Sequence, residues 1–129
     1  MTPRELEDRL ISFAVNIIRL SDGIKPSIAG NNLSGQIVRS SSSTALNYGE
    51  AQSAESPKDF VHKLGICLKE MRETFINLRI IDGAKLHADQ QFLNQLKTEC
   101  NELVSIFVKS IETSKRKQGT LPPKTNLQS

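Results

Sequence analysis

Two runs of polar residues recur at helical spacing in the middle of the chain, and they hold most of the groups capable of chemistry. The first run consists of Gln36, Ser40, Ser43, Asn47 and Glu50. The second consists of Asp59, Lys63, Glu70, Glu73 and Asn77. Residues three and four positions apart share one face of a helix. A polar face this regular is solvated, buried in a hydrogen-bonded network, or used to hold a partner.

Paired carboxylates are the first candidates for chemistry within these runs. Glu70 and Glu73 stand at positions i and i+3, and helical bundles bind pairs of metal ions through glutamates combined with Glu-x-x-His motifs. The sequence contains no Glu-x-x-His motif, and His62 and His87 lie near opposite ends of one predicted helical region. We therefore predict no metal centre and no cofactor.

Nucleophilic catalysis has no sequence signature either. There is no Gly-x-Ser-x-Gly motif and no phosphate-binding loop, and the serines at 40–43 lie mid-helix without a positioned histidine. Cys67 and Cys100 both occupy apolar helical registers. We interpret them as small buried hydrophobic residues, with a disulfide, a metal site or a nucleophile as the alternatives. The prediction is a protein without catalytic residues.

The net charge of +3 comes from the end of the chain. Four basic residues lie after the last acidic residue, Glu112: Lys115, Arg116, Lys117 and Lys124. The rest of the chain has 13 basic against 14 acidic residues. The few aromatic residues, five Phe and one Tyr without Trp, argue against a platform that stacks nucleic-acid bases. No segment is apolar enough to span a membrane or to serve as a signal peptide, so we expect a soluble cytoplasmic protein.

Apolar residues at helical spacing predict four helices that must position these groups. They run from Pro3 to Leu20, from about Asn32 to Ala54, from Pro57 to Ile81 and from about Asp89 to Ser114. Thr2 and Ser56 are candidate N-caps, whereas the Ser40–Thr44 run has poor helix propensity. Helices of similar length with short connections favour an all-α, antiparallel up-down-up-down four-helix bundle over residues 1–114.

The tight turn near Ser56 should bring the two polar runs face to face. Counting outward from this turn places Arg39 within reach of Glu70 or Glu73, which would satisfy charges that cannot stay unpaired in a core. We call the predicted network the polar seam. Its residues are Gln36, Arg39, Ser40, Ser43, Asn47, Glu50, Lys63, Glu70 and Glu73. We expect it to set helix register or subunit assembly, with a ligand site or simple solvation as alternatives.

Two features near the C-terminus bear on partners. Val104, Ile106 and Val108 widen the apolar face of the fourth helix, which indicates either contact with another subunit or deeper burial in its own bundle. Residues 115–129 are predicted to form a basic disordered tail. Within it Lys115–Lys117 are candidate contacts for RNA or DNA phosphates, and the alternative is a solubilising end.

The second helix resembles the central motif of the four-helix-bundle family of 23S rRNA intervening-sequence proteins, also called the S23 ribosomal protein family. The matching residues there are Gln36–Ser40, Ser43 and Asn47–Ala51. In the third helix they are Ser56, Asp59-Phe60, Lys63-Leu64, Leu68–Glu70 and Glu73-Thr74. In the first helix they are Phe13-Ala14, Ile17-Ile18 and Leu20. The resemblance covers roughly residues 5–112.

This resemblance implies a bacterial homo-oligomeric four-helix bundle, with pentamers known in the family, and no assigned biochemical function. A distant branch contains accessory proteins of diversity-generating retroelements, which bind a reverse transcriptase and nucleic acid through a basic surface. The nearly neutral body of this chain departs from that branch. Two hypotheses follow: a non-catalytic oligomeric scaffold that binds an unknown protein partner, or an RNA- or DNA-binding accessory protein that clusters its basic tails.

Overall fold

The computed structural model describes residues 1–124, which form four helices and no strand. The helices are α1 (Pro3–Asp22), α2 (Ile28–Ala51), α3 (Pro57–Gly83) and α4 (Gln90–Lys117). The predicted all-α fold is therefore confirmed. The described part of the chain contains one extended pairing, an isolated bridge between Ile24 and His87 that joins the first and third connections.

Each helix begins at a side chain that caps it. The capping side chain accepts a hydrogen bond from the backbone N–H three residues further on, at 2.8 to 3.1 Å. The caps of α1 to α4 are, in order, Thr2, Ser27, Ser56 and Asp89. Such a cap satisfies one of the first-turn N–H groups that have no partner inside the helix, so it defines where the helix starts. The predicted caps Thr2 and Ser56 are confirmed.

The start of α2 differs from the sequence prediction by four residues. Because Ser27 caps the helix, its first turns include Gly30 and the two asparagines after it, whose composition is typical of a connection. Gly30 is needed there for space. A Cβ atom at this position would lie 2.2 Å from the carbonyl oxygen of Lys25.

Consecutive helices pack side by side in antiparallel order, and α1 closes the bundle against α4. The direction is visible in two ion pairs between α2 and α3. Glu50, near the end of α2, meets Lys63 near the start of α3, whereas Arg39 in the middle of α2 meets Glu73 much further along α3. This is the up-down-up-down arrangement that the short connections predicted.

One apolar stripe from each helix faces inward, and the stripes together form a single core. Its largest fully buried side chains include Phe13 on α1, Ile37 on α2, Met71 on α3 and Phe107 on α4. The Tyr48 ring meets the Phe107 ring edge to face, with centroids 6.0 Å apart. Burying a side chain of this size contributes roughly 1.5 to 3 kcal/mol to folding.

Candidate functional site

The outer layer of the polar seam is a three-residue ion-pair cluster between α2 and α3. The Arg39 guanidinium donates to a Glu70 carboxylate oxygen at 3.1 Å and to a Glu73 carboxylate oxygen at 3.4 Å. The Glu70 side chain is only 12% exposed, whereas those of Arg39 and Glu73 are 59% and 47% exposed. The cluster carries a formal charge of −1, because one cation faces two carboxylates.

The inner layer consists of buried hydroxyl groups. Ser40 Oγ and Thr74 Oγ1 lie 2.6 Å apart across the helix pair, and the two residues are 2% and 0% exposed. Thr74 also donates to the Glu70 carbonyl oxygen at 2.9 Å, and Thr44 donates to the Ser40 carbonyl oxygen at 2.9 Å. Each hydroxyl proton therefore has an acceptor, which buried polar groups require.

The other seam residues bond within their own helix or at the exposed edge of the helix pair. Gln36 pairs with the Asn32 side chain one turn away. Asn47 donates to the carbonyl oxygen and to the hydroxyl of Ser43, at 2.9 and 3.1 Å. At the exposed edge between α2 and α3, the Lys63 ammonium donates to Glu50 at 3.1 Å, and this bond raises the pKa of Lys63.

A small cavity opens beside the Arg39 cluster. Its volume is about 200 Å³, and it is lined by Gln36, Arg39, Ser40, Glu73, Ile76, Asn77 and Ile80. Asn77 is 6% exposed, and its Oδ1 atom is fully enclosed without a hydrogen-bond partner. No other buried side-chain nitrogen or oxygen in residues 1–124 lacks a partner.

The second candidate region, the basic end of the chain, is partly helical. The prediction placed the end of the fourth helix near Ser114, whereas α4 continues to Lys117, so Lys115–Lys117 lie in its last turn. Gln118 donates to the Pro57 carbonyl oxygen at 2.9 Å and ties this end to the start of α3. The predicted tail of residues 115–129 therefore begins as helix, and residues 125–129 lie outside the described part.

Arg116 is the most engaged of the three basic residues. Its guanidinium lies 3.9 Å from the Glu112 carboxylate and donates to the Pro122 carbonyl oxygen at 3.1 Å. Lys117 is exposed. A cation within the last turn of a helix also interacts favourably with the partial negative charge of that end.

A model of one protein family matches most of the folded body. The family is described as 23S rRNA-intervening sequence protein, and its model covers residues 6–109. The chain belongs to this family. The family that the resemblance indicated is thereby confirmed, and the seam lies wholly inside the matched range.

A solved relative of this family member has the same fold. It is a protein with unknown function from the S23 ribosomal protein family of Bacteroides thetaiotaomicron. It is 29% identical, covers 86% of this chain and 98% of its own length, and superposes with a TM-score of 0.75. No curated protein matches the chain at a significant level.

Sequence reasoning missed one ion pair, between α1 and α4, of this family member. Arg9 on α1 donates from Nε and Nη2 to the two carboxylate oxygens of Glu99 on α4, at 2.7 and 2.6 Å, and also bonds Glu102. The hydrogen bonds to Glu99 raise the pKa of Arg9. The two helices lie at opposite ends of the sequence, so no turn specified which residues would meet.

The widened face of α4 is mainly an internal surface of the family fold. Val104 and Ile106 are half-buried and pack against the core of their own bundle, as the alternative interpretation expected. The large apolar side chains that do reach the surface are on other helices. They include Ile11, Val15 and Ile18 on α1, Leu46 on α2, and Ile76 and Ile80 on α3.

The cysteines behave as structural core residues. Cys67 and Cys100 are free and fully buried, and their thiols donate to the carbonyl oxygens of Thr44 and Met71. Burial raises the pKa of each thiol to about 12 because it disfavours the charged thiolate.

Metal-binding clusters and membrane spans are both missing from residues 1–124. No group of three or more His, Cys, Asp or Glu side chains in this part of the chain comes together in a way that could hold a metal ion. No described helix is long and apolar enough to cross a membrane.

Proposed function

We propose that this chain is a non-catalytic, cytoplasmic bacterial protein that assembles with copies of itself and serves as a scaffold for a protein partner. The carrying observation is an apolar stripe on the outer face of α1. Ile11, Val15 and Ile18 follow one another at steps of four and three residues, and they are 47%, 40% and 45% exposed. At these steps the three side chains lie along one line of the helix.

The stripe is separate from the face that holds α1 in its own bundle. The buried residues of α1 include Leu10, Ile17 and Leu20, which fill the core. A second apolar stripe on the same helix therefore has no covering partner within residues 1–124. Contiguous exposed aliphatic surface is typical of protein–protein contacts, and closed homo-oligomers are the commonest way to cover it. The pentamers implied by the family resemblance agree with this proposal.

Light scattering on purified full-length protein at micromolar concentration tests the assembly. We expect the mass of a defined oligomer, and a monomer throughout that range would refute the proposal. The informative variant is the double substitution Ile11→Asp and Ile18→Asp, which should shift the mass towards the monomer while circular dichroism stays helical. Ser12→Asp is the matched control, because Ser12 is exposed on the same helix outside the stripe.

RNA or DNA binding is the second candidate, and the last turn of α4 favours it. Lys115, Arg116 and Lys117 follow one another there, and assembly of several copies would bring such turns together and multiply the local positive charge. Contacts to phosphates release counterions, so the logarithm of the affinity should fall with the logarithm of salt concentration by about 0.9 per phosphate contacted.

A substitution that keeps the helix is the better test of this candidate. Truncation at Ser114 would also remove the contact of Gln118 with Pro57. Replacing residues 115–117 by glutamine keeps that contact and removes the three charges, together with the Arg116 contacts to Glu112 and Pro122. We expect weaker binding and a smaller salt slope for the triple glutamine variant. Equal affinity and equal slope would exclude this turn as the nucleic-acid contact.

A further inference from the structure

The cavity beside the Arg39 cluster contains an unsatisfied polar group that the fold itself does not explain. Asn77 lies in the last third of α3 and lines the cavity together with residues of α2, yet its Oδ1 atom has no donor within residues 1–124. An enclosed carbonyl without a hydrogen bond costs on the order of 1 to 3 kcal/mol. A leucine at this position would avoid the cost. We therefore expect the hydrogen-bond donor for Asn77 to come from outside the pair α2–α3.

Asn47 indicates how the carboxamide of Asn77 can be satisfied. The Asn47 amide nitrogen donates to the Ser43 carbonyl oxygen one turn earlier in its helix. The same arrangement at Asn77 would direct its nitrogen to the Glu73 carbonyl oxygen and turn Oδ1 towards the cavity. The two ends of an asparagine carboxamide have the same shape, so this rotation needs no extra space. The cavity would then present a carbonyl acceptor at its base.

The charges around the cavity select the kind of group that fits. Arg39 is already held by Glu70 and Glu73, and this cluster has a formal charge of −1; Arg39 and Glu73 line the cavity, and Glu70 lies behind them. Glu73 is bonded at 3.4 Å and is half exposed, so its carboxylate can accept a second donor. Ile76 and Ile80, which are 54% and 48% exposed, form an apolar wall beside it. A cavity of about 200 Å³ is smaller than the usual pocket for a drug-sized ligand.

We propose that this cavity binds an alkylammonium or alkylguanidinium group, with the cationic N–H donors on Asn77 Oδ1 and Glu73 and the aliphatic stem against Ile76 and Ile80. This chemistry has two sources: a free small amine, or a lysine or arginine side chain of a second copy of the chain. Both place the same atoms in the same cavity. The site does not depend on the stripe of α1.

The free-amine source is tested by titrating the full-length protein with n-butylammonium chloride and following the backbone N–H signals of Ile76 and Ile80 by NMR, because these cavity-lining residues are kept in every variant below. n-Pentanol is the neutral comparison, and sodium chloride controls for ionic strength. We expect a saturable shift with the ammonium ion only. The second-copy source is tested by diluting the protein without amine and following the same signals. A shift that depends on protein concentration, and that n-butylammonium abolishes by competition, also supports the proposal.

The decisive variant is Asn77→Leu, with Asn16→Leu as control because Asn16 is a half-buried asparagine on α1 that does not line the cavity. Hydrogen bonds to charged groups are strong enough that Asn77→Leu should weaken ammonium binding about tenfold or more. Its melting temperature should be equal to or above that of the wild type, since an unsatisfied carbonyl is removed. Glu73→Gln should also weaken binding of the ammonium ion, because it removes the carboxylate charge.

Three results would overturn the proposal. They are equal binding of pentanol and the ammonium ion, unchanged affinity in Asn77→Leu, and no response to either amine or dilution. The last result would leave a bound water as the partner of Asn77. A monomeric wild type that binds n-butylammonium would refute self-association and keep this site, so the two proposals fail separately.

Discussion

The hydroxyl pair of Ser40 and Thr74 allows a sharp test of how the polar seam contributes to stability. The two oxygens lie 2.6 Å apart in the core, and Thr74 donates in turn to the Glu70 carbonyl oxygen at 2.9 Å. Thr74→Val keeps the shape of the side chain and removes the acceptor. Ser40 then retains only the Ile37 carbonyl oxygen, at 3.3 Å.

The size of the effect follows from what each substitution leaves behind. A buried polar group that loses its partner costs about 1 to 3 kcal/mol, whereas replacing both partners by apolar groups is close to neutral. We therefore expect Thr74→Val to destabilise the protein by about 1 to 2 kcal/mol. The double variant Ser40→Ala with Thr74→Val should cost less than the sum of the single variants, with a coupling of about 1 kcal/mol.

Urea unfolding at one fixed protein concentration measures all four proteins of this cycle, since stability depends on concentration if the protein assembles. Thr98→Val is the control partner for Ser40→Ala, because Thr98 is exposed on α4 and the two effects should add. Additive single effects within the Ser40–Thr74 cycle would refute the reasoning. So would a double variant that is less stable than the sum of the single changes predicts.

Three further outcomes can be checked by standard assays. Arg39→Ala should lower the free energy of unfolding by about 1 kcal/mol more than Arg79→Ala, because only Arg39 is held by two carboxylates of α3. Its melting temperature should therefore be the lower of the two, and equal melting temperatures would contradict this. Cys67 and Cys100, with pKa values of about 12, should be unreactive towards Ellman's reagent at pH 8 until the protein is unfolded. A hydrogen bond from Lys97 of α4 lowers the pKa of Asp82 from its ordinary value of 3.8. The pair therefore stabilises the fold above that pH, and this stability is lost in stronger acid. Asp82→Asn should remove that part of the acid sensitivity in urea unfolding.

The fold could be predicted from the sequence because local signals and the apolar pattern agree. Thr2 and Ser56 are caps that act on their own helices, and the apolar residues at helical spacing predict each helix without knowledge of its neighbours. The start of α2 was misplaced because Gly30 is a turn signal by composition. Gly30 is instead required because the backbone of the connection comes close to it, at the Lys25 carbonyl oxygen, and composition does not show this approach.

The candidate site could be predicted in part, depending on the separation of its residues along the chain. Arg39 and its carboxylates face each other across one tight turn, so counting outward from Ser56 was enough to propose contact, and the structure brings them together. Arg9 and Glu99 are 90 positions apart, and two further helices lie between them in the chain. The burial of Asn77 also depends on packing, since sequence spacing does not distinguish a solvated asparagine from an enclosed one.

The layered seam explains why polar residues replace leucines between α2 and α3. The exposed ion pairs each contribute at most about 1 kcal/mol, and the buried hydroxyls are satisfied without a large net gain. Their effect is on register. Sliding α2 by one turn, about 5.4 Å, would separate Ser40 from Thr74 and Arg39 from Glu70, which leaves buried polar groups without partners. Asn77 lies on the same face of α3, but α2 offers it no donor. Among the described residues, Asn77 is thus the one buried polar side chain of this helix pair with an unsatisfied atom, and such local inconsistencies are where function is expected.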